Sequence, residues 1–212
     1  MDLGEISAKI RREMDAKDTA REGALTQSRR AIRASSNAIR AIHRGEYKSA
    51  GEFLAEARMA LDECENLLHG HPDIYHAGFV RDAQKEYAEA MITLVLICGE
   101  PLPDLDELRV GHVSYLNGLA ETIGELRRHI LDIIREDRLE QGESLLKAMD
   151  DIYYVLVSFD YPDAVTPGLR RATDVARAIM EKTRGDLTTA IRQKELREAM
   201  GKLEERLREK KE

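Results

Sequence analysis

At 212 residues the chain can bury one sizeable core, and a formal charge of −7 with a pI near 5.5 excludes a protein that coats nucleic acid with its whole surface. Five prolines, three phenylalanines and no tryptophan, in a chain 42% hydrophobic and 34% charged, favour helices laced with ion pairs over a sheet protein. The expected fold class is all-α: a single-domain bundle of about six or seven helices over residues 1–212.

The first predicted helix runs from Leu3 to His43, with Leu25, Ser28, Ile32, Ser35, Ile39 and Ile42 spaced by threes and fours as its buried stripe. Gly45 ends it. From Arg21 to Lys48 seven basic residues face two acids, a local +5 that leaves −12 for the rest of the chain. Arg29, Arg33, Arg40 and Arg44 fall at offsets of 0, 4, 11 and 15, one stripe along the helix. Such a row can follow a phosphate backbone, and a solvated basic face pairing with other helices explains it equally well. A second helix, Tyr47 to Leu68, repeats the apolar pattern through Phe53, Leu54, Ala57 and Leu61 and stops at Gly70, His71 and Pro72.

A third helix is predicted from Asp73 to Cys98, apolar nearly all round from Met91 onward, which places it at the centre of the bundle. That apolar run is too short to span a bilayer, and the polar, mixed-charge start to Asp18 excludes a secretory signal. The expectation is a soluble, cytoplasmic protein with no membrane partner. Cys64 and Cys98 read as reduced, buried thiols, without the spacing of a zinc site or a disulfide framework. Residues 99–108 (GEPLPDLDEL) form a loop with a short turn over Asp104–Leu108.

The fourth helix, Val113 to Arg135, carries Gly118 and Gly124 in its interior. Each costs about 0.5 to 1 kcal/mol relative to alanine, so a close helix crossing is expected there. A fifth helix spans Leu139–Phe159, a sixth Leu169–Arg184, and Gly185 separates the sixth from a last amphipathic helix within residues 187–212. Leu196, Met200, Leu203 and Leu207 give that last helix a coiled-coil-like seam, read as a subunit contact.

Two acid pairs carry the chemistry. Glu86 and Glu89 lie three apart in the third helix, and Glu121 and Glu125 lie four apart in the fourth, so each pair shares a face with Cβ atoms about 5 to 6 Å apart. Small and apolar neighbours (Ala83, Tyr87, Ala90, Met91; Leu119, Ala120, Ile123) turn these faces inward. Among 40 acids such pairs also arise as solvated charges, so spacing alone leaves both readings open. As ligands, three or four carboxylates suit Mg²⁺ or Mn²⁺, hard cations that take oxygen donors. A di-iron bundle needs Glu-x-x-His, and the available pairs, Glu65/His69 and Glu125/His129, are one residue too long. Phosphodiester hydrolysis is the remaining standard use of such a centre. The chain shows no Gly-rich phosphate loop and no Gly-x-Ser-x-Gly.

The stretches Gln84-Lys85-Glu86-Tyr87-Ala88-Glu89-Ala90 and Arg109-Val110, then Tyr115 through Arg128 (YLNGLAETIGELRR), resemble the translin family, and specifically its Trax branch. Weaker similarity over residues 25–43, the helix before Pro72 and residues 166–184 extends the resemblance to nearly the whole chain. It implies an all-helical subunit that assembles into a hollow, roughly octameric shell, from this chain alone or with a translin-like partner subunit. It also implies Mg²⁺-dependent endoribonuclease activity on RNA inside that shell. Glu86 and Glu89 match the family's catalytic glutamates, Glu121 stands where the family carries Asp, and Glu125 is a fourth acid. The Arg29–Arg44 stripe corresponds to the family's first basic helix, and His76 and Arg81 lie near positions that touch RNA in translin. The alternative within the same resemblance is a non-catalytic, translin-like oligomer that binds single-stranded RNA or DNA.

Overall fold

The computed structural model describes residues 3–209; Met1, Asp2 and the last three residues of the expected 187–212 helix lie outside the described residues. Among the described residues the fold is all-α, with eight helical segments: α1 (Leu3–His43), α2 (Tyr47–Leu68), α3 (Pro72–Tyr75), α4 (Gly78–Cys98), α5 (Leu105–Leu108), α6 (His112–Arg135), α7 (Leu139–Val157) and α8 (Leu169–Glu209). The chain divides between Thr122 and Ile123, inside α6, into two compact units.

In the first unit α1 and α2 form a hairpin. Gly45, at φ 72°, and Glu46 return their N–H groups to the carbonyls of Ile42 and Ala41 at 2.9 Å each, closing α1 in the left-handed conformation that glycine adopts without strain. The buried seam of α1 is Ala24, Ser28, Ala31, Ser35, Ala38 and Ile42, a run of alternating fours and threes. Leu25, Ile32 and Ile39, expected at its centre, are only half-buried and flank it. Small side chains let α1 approach α2 closely, and α2 fills the seam with Leu54, Ala57, Leu61, Cys64 and Leu68. The Cys64 thiol bridges the two helices, lying 3.4 Å from Ser28 Oγ and donating to the Ala24 carbonyl at 3.3 Å.

The predicted Asp73–Cys98 helix is in fact two. Ala77 is extended at ψ 154°, so the single turn of α3 ends before Gly78 opens α4. The break lets Ile74, with Tyr75 beside it, cap a core of Ala24, Cys64, Leu68 and Val80. α4 buries Val80, Ala83, Tyr87, Ala88, Ala90, Ile92 and Val95 and stops at Gly99, φ 71°. From Met91 onward it alternates buried Ile92, Thr93 and Val95 with half-buried Met91, Leu94, Leu96 and Ile97, and Cys98 is exposed rather than buried as expected. α5 is a single turn held by a capping box: Asp104 Oδ1 accepts from Asp106 N at 2.9 Å and Glu107 N at 2.8 Å, and Glu107 Oε2 accepts from Asp104 N at 2.9 Å.

In the second unit α7 packs on α8, and Gly142 sits against Leu187, whose Cδ1 lies 3.0 Å from where a Cβ would be. Arg127 of α6 reaches α8 through Thr183 Oγ1 at 3.0 Å and Asp186 Oδ2 at 2.8 Å. α8 continues through Gly185 to Glu209, so the predicted sixth and seventh helices are one. An interior glycine costs about 1 kcal/mol, which a 41-residue helix packed on both sides of it absorbs. Leu196, Met200, Leu203 and Leu207 lie beyond the packed part of α8, all more than half exposed. No described helix is long and apolar enough to cross a membrane.

Candidate metal centre

Glu86 and Glu89 project from α4 and Glu121 from α6, so what brings them together is the crossing of these two helices. Gly118 makes the crossing close. A Cβ there would lie 3.0 Å from Ala88 Cβ, 3.1 Å from Glu89 N and 3.1 Å from the Lys85 carbonyl, so the backbone of α6 rests directly on α4. Hydrogen bonds fix the register. Buried Gln84 accepts from Gly111 N at 3.2 Å and donates to Tyr75 Oη at 3.2 Å; Ser114 Oγ donates to the Arg81 carbonyl at 2.9 Å and lies 3.3 Å from Gln84 Oε1. Thr122, fully buried, donates to the Gly118 carbonyl at 2.9 Å and lies 3.4 Å from that of Glu89.

Three residues past Gly118, one helical turn, Glu121 meets the α4 pair. Carboxylate oxygens of Glu86, Glu89 and Glu121 lie within 4.8 Å of one another. The cluster is half-open, with the Glu86 side chain 30% and the Glu121 side chain 39% exposed. Glu125 follows one turn later on α6, half-buried, beyond the division between the units.

Three like charges at this separation repel, and the structure meets that with a residue whose role the sequence did not single out. Lys85 Nζ lies 2.7 Å from each oxygen of Glu121 and 3.3 Å from Glu86 Oε1. Burial alone would lower the Lys85 pKa, but the hydrogen bonds and charges of Glu121 and Glu86 outweigh it and raise it above the ordinary lysine range. The ammonium thus pairs with two of the three carboxylates. The donor set fits Mg²⁺ or Mn²⁺: all oxygen, anionic, and open on one side to admit retained waters. Its contact to Glu121 runs between helices, so the spacing of Lys85 to Glu86 and Glu89 within α4 does not reveal it.

A second cation supports the frame of the site. Arg58 of α2 binds Asp62 Oδ1 at 2.9 Å, donates to the carbonyls of Leu108 at 2.9 Å and Arg109 at 3.3 Å, and lies 5.5 Å above the Tyr87 ring. Arg109, in the left-handed region at φ 50°, also pairs with Asp62. This network pins the loop before α6, and Tyr87 lies on α4 between Glu86 and Glu89.

The residues expected to meet nucleic acid divide by their partners. Arg29, Arg33 and Arg40 are exposed on α1, and Arg44 is exposed in the turn just after it. Arg44 forms a two-pronged pair with Glu46 at 2.8 and 2.7 Å, and Arg40 donates to Asn37 at 3.3 Å. Arg29 and Arg33 have no ion-pair partner among the described residues and, with Arg30, line a groove of about 420 Å³. His76 is exposed in the break before α4, its ring edge-on to Tyr75, and Arg81 is half-buried on the first turns of α4.

Known proteins share this arrangement of helices. A protein of Methanocaldococcus jannaschii described as uncharacterised is 34% identical over 191 residues, 89% of this chain and 84% of that one. The solved structures of AfC3PO, one of them in complex with duplex RNA, are 32% identical with a TM-score of 0.80 and cover 86% of this chain and 95% of theirs. The chain belongs to the translin/Trax family. A translin/Trax fold is also shared with apo-NeC3PO, at TM-score 0.78 and 20% identity over 90% of this chain and 99% of that one. No family model matches the chain.

Proposed function

We propose that this translin/Trax-family chain is a divalent-metal-dependent endoribonuclease, acting as a subunit of an oligomeric shell. The observation that carries the reading is the convergence of Glu86, Glu89 and Glu121 within 4.8 Å, built by the Gly118 crossing, with Lys85 paired to two of them. These three residues hold Mg²⁺ or Mn²⁺, with Glu125 as a fourth acid from the same helix as Glu121. Such an ion, when bound, polarises a phosphoryl oxygen and lowers the pKa of a coordinated water. The protein's part is to hold the carboxylates in place and to bind the substrate. Arg29 and Arg33, in the α1 groove and without an ion-pair partner among the described residues, neutralise phosphates, with Arg40, Arg44, His76 and Arg81 as further contacts.

RNA as substrate is supported by AfC3PO, solved with duplex RNA at 32% identity. Assembly, into an octamer of this chain or with a translin-like partner subunit, is supported by the exposed Leu196, Met200, Leu203 and Leu207 on α8. With one methylene more than the family's Asp, Glu121 still offers an oxygen within 4.8 Å of those of Glu86 and Glu89, which supports its use in place of that Asp. The alternative, a non-catalytic oligomer that binds single-stranded RNA or DNA, has one observation in its favour: Lys85 already neutralises Glu121.

Incubating labelled RNA with the protein in Mg²⁺ or EDTA, beside the Glu89→Ala and Glu121→Ala variants, separates the two. Cleavage lost in EDTA and in both variants, with RNA retention unchanged, supports the enzyme. Retention without cleavage by the unmodified protein selects the binding shell, and equal cleavage by both variants removes these glutamates from the chemistry.

A further inference from the structure

The position of Lys85 bears on how a metal would enter the cluster. Its ammonium is a compact charge with three N–H donors on a flexible stem. Here it faces three oxygens, both of Glu121 and one of Glu86, at 2.7, 2.7 and 3.3 Å. Mg²⁺ and Mn²⁺ draw on the same carboxylate oxygens. With both Glu121 oxygens turned to Nζ, an entering ion takes at least one of them from the lysine. The Lys85 side chain is 22% exposed, so it is not sealed inside the crossing.

We propose that Lys85 is an internal competing cation: it holds Glu86 and Glu121 together while no divalent ion is bound, and it must release a Glu121 oxygen to an ion that enters. This inference rests on the metal-centre reading above. It makes the divalent affinity of the site weaker than the three carboxylates alone would give. Metal loading then becomes a threshold set by the lysine rather than by the acids.

The test is Mn²⁺ titration of the intact protein, free Mn²⁺ being read by electron paramagnetic resonance, for the unmodified chain, Lys85→Met, Lys85→Arg and Glu89→Gln. Lys85→Met should bind Mn²⁺ about three- to tenfold more tightly, the worth of one or two half-exposed ion pairs, and Lys85→Arg should stay near the unmodified chain. A lysine that merely propped up the fold would, when removed, loosen the cluster and weaken binding, so the sign discriminates. Binding by Lys85→Met that is equal to or weaker than that of the unmodified chain overturns the proposal and leaves the metal centre standing. Mn²⁺ binding absent from the unmodified chain and every variant, or insensitive to Glu89→Gln, overturns the metal centre and the proposal with it. Lys85→Gln gives the same reading where Lys85→Met does not fold.

Discussion

Gly118 and Gly124 stand six residues apart in one helix, and alanine should stabilise the protein at Gly124 but not at Gly118. Propensity treats them alike: Gly→Ala inside a helix gains about 0.8 to 1 kcal/mol. Their surroundings differ. A Cβ at Gly124 meets only Ile179 Cδ1, at 4.0 Å, an ordinary contact, so Gly124→Ala should stabilise by about that full amount. A Cβ at Gly118 meets Ala88 Cβ at 3.0 Å and two backbone atoms of α4 at 3.1 Å, none of which can swing away. Overpacking of this kind costs about 1 to 3 kcal/mol, so Gly118→Ala should come out between neutral and about 2 kcal/mol destabilised. The difference between the two variants isolates the effect of the crossing and should be about 1 to 3 kcal/mol, or about 2 to 12 °C in Tm for a chain of this size. Thermal unfolding at one fixed protein concentration reads it, which keeps any assembly equilibrium constant. Because Glu121 follows Gly118 by one turn, Gly118→Ala should also weaken Mn²⁺ binding while Gly124→Ala leaves it unchanged. Equal stabilisation by the two substitutions would refute the close crossing, and with it the placement of Glu121 by Gly118.

Arg29→Ala with Arg33→Ala removes two side chains that have no ion-pair partner among the described residues, so stability should hold while the salt dependence of single-stranded RNA binding becomes shallower, by about 0.7 in log–log slope for each phosphate no longer neutralised; an unchanged slope takes α1 off the RNA path. Arg58→Lys keeps the charge but not the fork that spans Asp62 and two carbonyls, and should cost about 1 to 3 kcal/mol in urea unfolding, with unchanged stability as the contrary result. Burial pushes the Cys64 thiol pKa up, which keeps its thiolate fraction low at neutral pH, so iodoacetamide should label exposed Cys98 in the native protein and Cys64 only on unfolding, as read by peptide mass spectrometry. Glu121→Asp should retain Mn²⁺ binding and Glu121→Gln should abolish it; equal binding by Glu121→Gln would mean the carboxylate charge is not used.

The long helices were legible in the sequence because their signals are local. Apolar spacing marks α1, α2, α6 and α7 to within a residue or two, and Gly45 and Gly99 stop helices where only a left-handed residue fits. The errors fall where packing overrides a local signal. Gly185 reads as a break, yet Thr183 and Leu187 on either side of it are buried, and that packing carries the helix through. The extended Ala77 has no sequence mark, since alanine is the strongest helix former; the break exists because Ile74 and Tyr75 are needed on the core. In α1 the large apolar residues mask the alanines that make its seam, because hydrophobic spacing weighs size and a close helix pair selects against it.

The site shows the same division between local and non-local information. A pair of acids at i,i+3 is a weak signal, and Glu86/Glu89 and Glu121 gain meaning only when α4 and α6 are known to touch. That approach was legible at one residue, because an interior glycine in a helix that pays for it in stability points to a neighbour too near for a methyl group. Lys85 was not legible in this way. Its spacing to Glu86 and Glu89 is visible within one helix, but its two short bonds to Glu121 run between helices, and nothing in the linear chain distinguishes it from the other lysines on charged faces. The crossing at Gly118 therefore sets two things together: it gathers three anions that need a cation, and it presents them to the lysine that supplies one.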